Sequence, residues 1–445
     1  MSAAGNTMVI TETKDTVNSI VPHVYIQRLA QKRISDALVH RGAVLVEGVA
    51  HCGKQTLARQ LSAAVISAND LGDITFNTED TNSCSSKPLF VDTGHNTPRY
   101  WDDIAYAVRS RTGEGLFLLT EDTVLQTRKE LPIYAREIGH VRMGTLSSLE
   151  SGVSDGSLPL QSLFTGESLH ICKGLESSST QELLVNAFSR GGWPATQDMP
   201  LNEAMEFVTE ILRGFVKEAL QGMSGNAGID EDLSEKTINE GMLFSSGIAQ
   251  FIDMPVTNLE ICKHLIENPD EAFRSRFAAF QEQLNKAYVI ENPINWKPTK
   301  LLESRFSYLP RRYFADPSLA VAALGLKPES ISHNPRLMGS LFKNLVVRDI
   351  SEYARTPGIS LFRYNDKSNK SIDLVLEWQG RWCAIMIVLD PQEVQNAAKT
   401  LSKTCSYLEE YKTPLVTSRA IITGPGSHGD IIDGVSILPF DCLGI

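Results

Sequence analysis

The first place in this chain where chemistry can be read is a lysine that closes a glycine-bounded loop, between an apolar run and a helical pattern. The stretch runs Ala43-Val44-Leu45-Val46-Glu47-Gly48-Val49-Ala50-His51-Cys52-Gly53-Lys54-Gln55-Thr56, then Leu57-Ala58-Arg59-Gln60-Leu61. Strand, loop and helix in that order, with Gly48 and Lys54 so spaced, suit a polyphosphate. Backbone N–H groups and the helix N-terminus surround the β-phosphate, and the ammonium reaches the β and γ oxygens. Such a loop ordinarily places a hydroxyl on Mg²⁺ from the residue after its lysine. That residue is Gln55 here, and the nearest hydroxyl is on Thr56. The same residues also suit a plain buried strand that turns into a helix through a glycine loop, so the surrounding chain has to decide.

A second group supports the phosphate reading. Pro88-Leu89-Phe90-Val91-Asp92 is an apolar strand ending in a carboxylate, where a P-loop protein keeps the Asp that holds the hydration shell of Mg²⁺. Gly115-Leu116-Phe117-Leu118-Leu119-Thr120 is a further strand, and His140-Val141-Arg142-Met143 a short fourth. Between them lie helical stretches, one with Tyr100, Trp101, Ile104, Ala105 and Val108, another with Arg128, Lys129 and Arg136. Strands alternating with helices predict a parallel α/β sheet with the loop at its switch point. Ahead of it, Ile26, Leu29, Ala30, Ile34 and Leu38 have helical spacing, with Arg28, Lys32, Arg33 and Arg41 on the other face. The polar segment from Ser67 to Lys87 reads as loop.

At 445 residues the chain predicts two or three domains, and 42% hydrophobic with 21% charged residues is a globular composition. No apolar run has membrane-spanning length. Residues 1–22 read as a disordered tail without the pattern of a secretory signal. Seven scattered cysteines, never spaced C-x-x-C, argue against a disulfide framework and a structural zinc site, and point to a reducing cytoplasm. A net charge of −11 weighs against nucleic-acid binding over a large surface, though a local basic groove is compatible with it.

The chain resembles the prokaryotic AAA-type ATPases that join an N-terminal ATPase core to a C-terminal domain of unknown function related to restriction-endonuclease-like nucleases. The resemblance rests on Glu47-Gly48 with Cys52-Gly53-Lys54, Phe90-Val91-Asp92, Leu118-Leu119-Thr120, Val141-Arg142-Met143 and Ser147 to Gly152. It continues through Arg190-Gly191-Gly192-Trp193-Pro194-Ala195, Phe314 to Ala320, Leu345-Val346-Val347-Arg348-Asp349 and Arg381-Trp382. These run in the family's order from about Tyr25 to the C-terminus. The resemblance implies an ATP and Mg²⁺ site in which Gly48, Val49, Ala50, His51, Cys52, Gly53, Lys54, Gln55 and Thr56 form the loop, Thr120 senses the γ-phosphate and Asp92 serves the metal. Departures point to poor hydrolysis: Gln55 for Thr, Thr93 for Glu, Glu121-Asp122 for Gly-Ser, and Glu137 where an Arg is expected beside Arg136. Carboxylates at Glu121 and Asp122 would repel a γ-phosphate.

Residues 201–299 read as helical, with Phe273, Phe277, Phe280 and Leu284 on one helix and Tyr288-Val289-Ile290 as a wing, the place of a winged-helix module in the family. Arg274, Arg276 and Lys286 on that helix stand against Glu271 and Glu282, a balance that favours packing over DNA contact. From about residue 300, Asp316 caps a small-residue helix and 337–353 forms another. Strands follow at 361–364, 372–377 and 382–389, then a helix at 394–407 and a strand from Ser418. This is the order of a restriction-endonuclease-like core. In register with the family its metal and lysine positions hold Lys343, Asp373, Met386 and Val388, and one carboxylate does not make a hydrolytic Mg²⁺ site. The chain thus reads as a soluble cytoplasmic nucleotide-binding protein, in units 23–200, 201–299 and 300–445. A slow ATPase acting on an unknown partner, a non-catalytic scaffold and a DNA-binding protein stay open as alternatives, as does the oligomeric state.

Overall fold

The computed structural model describes residues 25–67, 88–92, 104, 108, 115–122, 138–165, 174, 180–223, 233–297, 309–368, 370–410 and 416–445. The tail, most of the polar loop, Thr93, Tyr100, Trp101, Ala105, Arg128, Lys129, Arg136 and Glu137 lie outside the described residues, as does most of a Gly-rich break after Gly222.

Helix α1, Ala30–His40, leads into strand β1, Ala43–Glu47, which is buried along its whole length. A strand buried on both faces reads as a continuous apolar run, which is why Ala-Val-Leu-Val shows no alternation. Helix α2, Lys54–Leu61, follows, then β2, Ala64–Ser67, β3, Leu89–Asp92, β4, Phe117–Glu121, and β5, Ile138–Arg142. All pair in parallel in the order β2-β3-β4-β1-β5. The fold is therefore α/β, as expected. Register aligns Val46 with Thr120, Glu47 with Glu121 and Glu47 with Arg142, so β1, β4 and β5 end at one edge of the sheet.

Beyond the sheet come β6, Leu158–Pro159, the short helix α3, Ser162–Thr165, and α4, Thr180–Arg190. The helical middle contains α5, Leu201–Met223, α6, Glu235–Gln250, α7, Asn258–Leu265, and α8, Glu271–Lys286. The phenylalanines of α8 were placed at helical spacing because they share a face: Phe273, Phe277 and Phe280 surround Phe244 of α6 at centroid distances of 5.2, 5.4 and 5.5 Å. A capping box between Thr257 and Glu260 starts α7. After α8, β7, Ile290–Glu291, pairs antiparallel with β8, Tyr313–Phe314.

Helix α9, Pro317–Ala323, has Asp316 as its cap, accepting from the Ser318 amide at 3.0 Å. Helices α10, Pro328–Ser332, and α11, Pro335–Arg355, precede strands β9, Ser360–Asn365, β10, Ser371–Trp378, and β11, Arg381–Ile387, which pair antiparallel in sequence. Helix α12, Val394–Glu410, crosses to β12, Ser418–Thr423, which lies parallel to β11. Strands β13, Asp430–Ile432, and β14, Val435–Pro439, complete this six-stranded mixed sheet. The chain then returns to the segment after the first sheet, where β15, Leu443–Gly444, pairs in parallel with β6. One continuous apolar cluster includes Val46 of β1, Phe215 of α5, Phe342 of α11 and Leu443 of β15. No helix among the described residues is long and apolar enough to cross a membrane.

Candidate functional site

Strand β1 delivers its chain to a loop over residues 48–53 that leans on the end of β5. A Cβ on Gly48 would lie 1.9 Å from the Met143 carbonyl oxygen, so no side chain fits there. The Gly48 amide donates to the Glu121 carbonyl at 3.2 Å, which ties the loop to β4 and removes that N–H from the set expected to meet a phosphate. Gly53 turns into α2 at φ +96°, a conformation that favours glycine. It offers the helix no side-chain cap, so the first-turn N–H donors of α2 open onto the space beside Gly53, Lys54, Gln55 and Thr56. His51 sits on the same loop with φ 62°, an uncommon conformation for a side-chain-bearing residue.

Lys54 is the centre of the site. Its side chain is buried, and Nζ donates to the carbonyls of Gly48 at 2.9 Å and Val49 at 2.7 Å and pairs with Asp122 Oδ1 at 2.5 Å. The carboxylate expected to repel an incoming phosphate is thus bound to the lysine expected to attract it. Beside this pair opens a cleft of about 410 Å³, within the range of small-molecule sites. It is lined by Ala50, His51, Gly53, Lys54, Gln55, Thr56 and Asp122 from the loop side, with Tyr25, Ile26, Pro194 and Ala195 among the residues opposite. The structure therefore brings most of the expected residues to one cavity.

Five of them stand elsewhere, the first being Gly48, whose amide is taken by the Glu121 carbonyl. Val49 contributes its carbonyl to Lys54 rather than its surface to the cleft, and Cys52 is buried with its thiol 3.7 Å from the Met143 carbonyl. Thr120 is buried at the end of β4. Asp92 is at the end of β3 but ion-paired with Arg59 of α2 at 3.1 Å. Among the described residues no group of three or more His, Cys, Asp or Glu side chains could hold a metal ion.

The loop is held from beneath by a residue that sequence spacing put on a solvent face. Arg28 is buried. Its Nη1 donates to the Cys52 carbonyl at 2.5 Å, its Nη2 to the Gly144 carbonyl at 2.8 Å, and its Nε to Glu150 at 2.9 Å. Burial opposes the Arg28 charge, and Glu150 more than restores it. Glu150 also accepts from the amides of Leu29 and Ser147, both at 2.8 Å. Here lies the reason for the motif from Ser147 to Gly152: it braces the loop. Neighbouring parts of that motif reach α11, where the Ser148 amide donates to Asp349 at 3.2 Å and the Leu149 amide to the Tyr353 hydroxyl at 3.1 Å. Arg348 bridges Asp349 and Asp316, and Asp316 accepts from Thr145 at 3.0 Å and from the Gly192 amide at 2.9 Å. The resemblance residues around 145–150, 191–193, 316–318 and 348–349 therefore meet in one buried polar junction rather than at a reacting centre.

A second charged cluster lies where the nuclease-like register placed Lys343 and Asp373. Lys343 of α11 does reach Asp373 of β10, at 3.2 Å, and also Asp253 at 3.0 Å. Arg311 spans the same carboxylates at 3.2 and 3.3 Å, the Ile387 amide donates to Asp373 at 2.9 Å, and Tyr313 donates to Asp253. Sequence reasoning missed Asp253 and Arg311, which come from connections outside the nuclease-like elements. Val388 is buried and Met386 is packed against the apolar core.

No protein-family model and no curated protein matches the chain. Among solved structures it is similar to a Walker-type ATPase of Pyrococcus abyssi, at 14% identity over 67% of this chain and 96% of that one, with a TM-score of 0.39. The replication initiator DnaA bound to AMPPCP and single-stranded DNA matches at 11% identity over 60% and 92%, TM-score 0.25. Can2 from Sulfobacillus thermosulfidooxidans in complex with cyclic tetra-adenylate matches at 12% over 92% and 96%, TM-score 0.17. Likeness at these scores assigns neither activity nor partner.

Proposed function

We propose that the chain binds ATP or a related nucleotide, carried with Mg²⁺, at the loop closed by Lys54, and turns it over weakly or not at all. The observation that supports this is a buried lysine at the first position of α2, at the carboxyl edge of a parallel sheet, beside a cleft of about 410 Å³. Mg²⁺ needs only one or two carboxylates when phosphates supply its other ligands. Asp92 suits that part, through water, because it ends β3 and its Arg59 partner is half exposed rather than buried. Thr56 or Gln55 would stand near the same ion, which would neutralise phosphate charge. Thr120 remains a position for sensing the γ-phosphate. Titration of the full chain with a fluorescent ATP analogue should give saturable, Mg²⁺-dependent binding that is lost in Lys54→Ala. Phosphate release should be no faster in wild type than in that variant.

The reading divides the chain into a nucleotide-binding unit at 23–200, a helical winged-helix-like unit at 201–299 and a nuclease-like unit at 300–445 without nuclease activity. With Lys343 and Arg311 against Asp373, that last unit has ammonium and guanidinium groups where a nuclease needs a divalent ion. Mg²⁺-dependent DNA cleavage by the full chain would overturn this part. The α8 face is a poor groove reader, since Arg276 pairs with Glu240 and Lys286 with Glu282. One observation favours a second reading, a scaffold without nucleotide: the three donors of Lys54 already have protein partners. Absence of saturable nucleotide binding would select it.

A further inference from the structure

We infer that Asp122 occupies the place of a terminal phosphate, so that the loop takes a nucleoside diphosphate in preference to the triphosphate. This rests on the nucleotide reading above and adds to it the number of phosphates that the site accepts. An ammonium group has three N–H donors. Two of those of Lys54 go to the loop's own carbonyls, Gly48 and Val49, and the third goes to Asp122 at 2.5 Å, with the Cys52 sulfur a longer contact at 3.8 Å. The first two partners belong to the loop that would wrap an inner phosphate. The third comes from the residue after β4 and lines the cleft beside the loop, where we place the next phosphate outward.

Asp122 is held in that place. The residue before it, Glu121, accepts the Gly48 amide at 3.2 Å and aligns with Glu47 in the sheet register. The Asp122 amide in turn donates to the Glu121 carboxylate at 3.1 Å. Strand pairing therefore fixes the Asp122 backbone against the start of the loop, and its side chain lines the cleft. A triphosphate has to break the Lys54–Asp122 pair and set its own terminal charge beside the displaced carboxylate. A diphosphate can take the donors now given to the Gly48 and Val49 carbonyls, leaves the Lys54–Asp122 pair intact and places one fewer anionic group near it. The preference thus comes from charge already present in the protein.

Calorimetric titration of the full chain with Mg²⁺–ADP and Mg²⁺–ATP tests the assignment in wild type, Asp122→Asn, Asp122→Glu and Lys54→Ala. Wild type should bind ADP at least about tenfold more tightly than ATP. Asp122→Asn, neutral and of the same size, should lose that preference chiefly by binding ATP more tightly, while Asp122→Glu keeps it. Lys54→Ala should weaken both nucleotides. An ADP-to-ATP ratio unchanged in Asp122→Asn, or a wild type that prefers ATP, overturns the assignment while leaving nucleotide binding in place. No binding of either nucleotide by wild type and by Asp122→Asn, with circular dichroism showing both folded, overturns the nucleotide reading and this inference with it.

Discussion

Lys54–Asp122 and Lys343–Asp373 are the same two side-chain types in two settings. In the first, one ammonium meets one carboxylate whose side chain is 33% exposed, beside an open cleft. In the second, two cations interlock with two carboxylates, and Asp373 is 4% exposed. Under the proposed reading, the first pair puts a protein anion where an anionic ligand would bind, and the second puts protein cations where a nuclease would hold its metal. Asp122 faces solvent and the cleft, whereas Asp373 is enclosed by Lys343, Arg311 and the Ile387 amide. One is a displaceable partner and the other is part of the core.

The largest effect that separates them is on stability. Asp373→Ala removes the shared acceptor of Lys343, Arg311 and the Ile387 amide and leaves two cations facing Asp253 alone. Loss of one partner from such a buried arrangement costs about 3–5 kcal/mol, measurable as a lower denaturant midpoint. The pH dependence carries the same signature. Burial works against the Asp373 charge, but Lys343 and Arg311 overcome it and hold the carboxyl below its usual 3.8. Because the folded value is depressed, its contribution is present above about pH 4 and lost as pH falls through that lower value. Lys343 is raised above its usual 10.5 by Asp373 and Asp253 despite burial, so its contribution is present below that pH and lost on the alkaline side. Denaturant melts from about pH 3 to 7 should show an acid limb in wild type that is reduced in Asp373→Asn. An identical acid limb in both would mean that the cluster is no more stabilising than a surface pair.

How much of each site was legible follows from how local it is. The strand, loop and helix around Lys54 could be read because an apolar run, two glycines and a lysine are consecutive. The partner of Lys54 could not, since Asp122 reaches it only through the pairing of β1 with β4; sequence marked Asp122 as a misplaced charge near the phosphates and had no means to pair it. At the other site, the family register named Lys343 and Asp373, which stand 3.2 Å apart. It gave no sign of Asp253 and Arg311, which arrive from the end of α6 and the approach to β8. Strand β2 went unread because four residues at a sheet edge are too short for a period, and its last residue, Ser67, opens a polar tract. Arg28 was misplaced for a different reason. Helical spacing begins to govern only at Ala30, so a residue ahead of α1 cannot be assigned a face by period.

Arg28 lies between the two extremes and gives an effect of intermediate size. Arg28→Ala would leave Glu150 buried, yet Glu150 keeps the amides of Leu29 and Ser147 as donors. The cost should therefore be about 2 kcal/mol, less than for Asp373→Ala. The same change frees the Cys52 carbonyl and with it the turn before Lys54, so nucleotide affinity should fall by about tenfold. A stability loss without any change in affinity would detach the brace from the loop and make the open site independent of its foundation.

The smallest stability effect belongs to Asp122→Asn. Its carboxylate is partly solvated, and the buried Lys54 ammonium keeps the Gly48 and Val49 carbonyls and the new amide oxygen as acceptors, so the exchange should cost about 1 kcal/mol. The midpoint of unfolding should therefore shift by no more than that, while Asp373→Asn, an equally conservative exchange, loses several times more. If the two exchanges cost the same, Asp122 would be a structural partner of Lys54 and no nucleotide could displace it at ordinary concentrations. A near-silent melt for Asp122→Asn combined with altered nucleotide preference would instead show that charge at the cleft acts on the ligand and charge in the cluster acts on the fold.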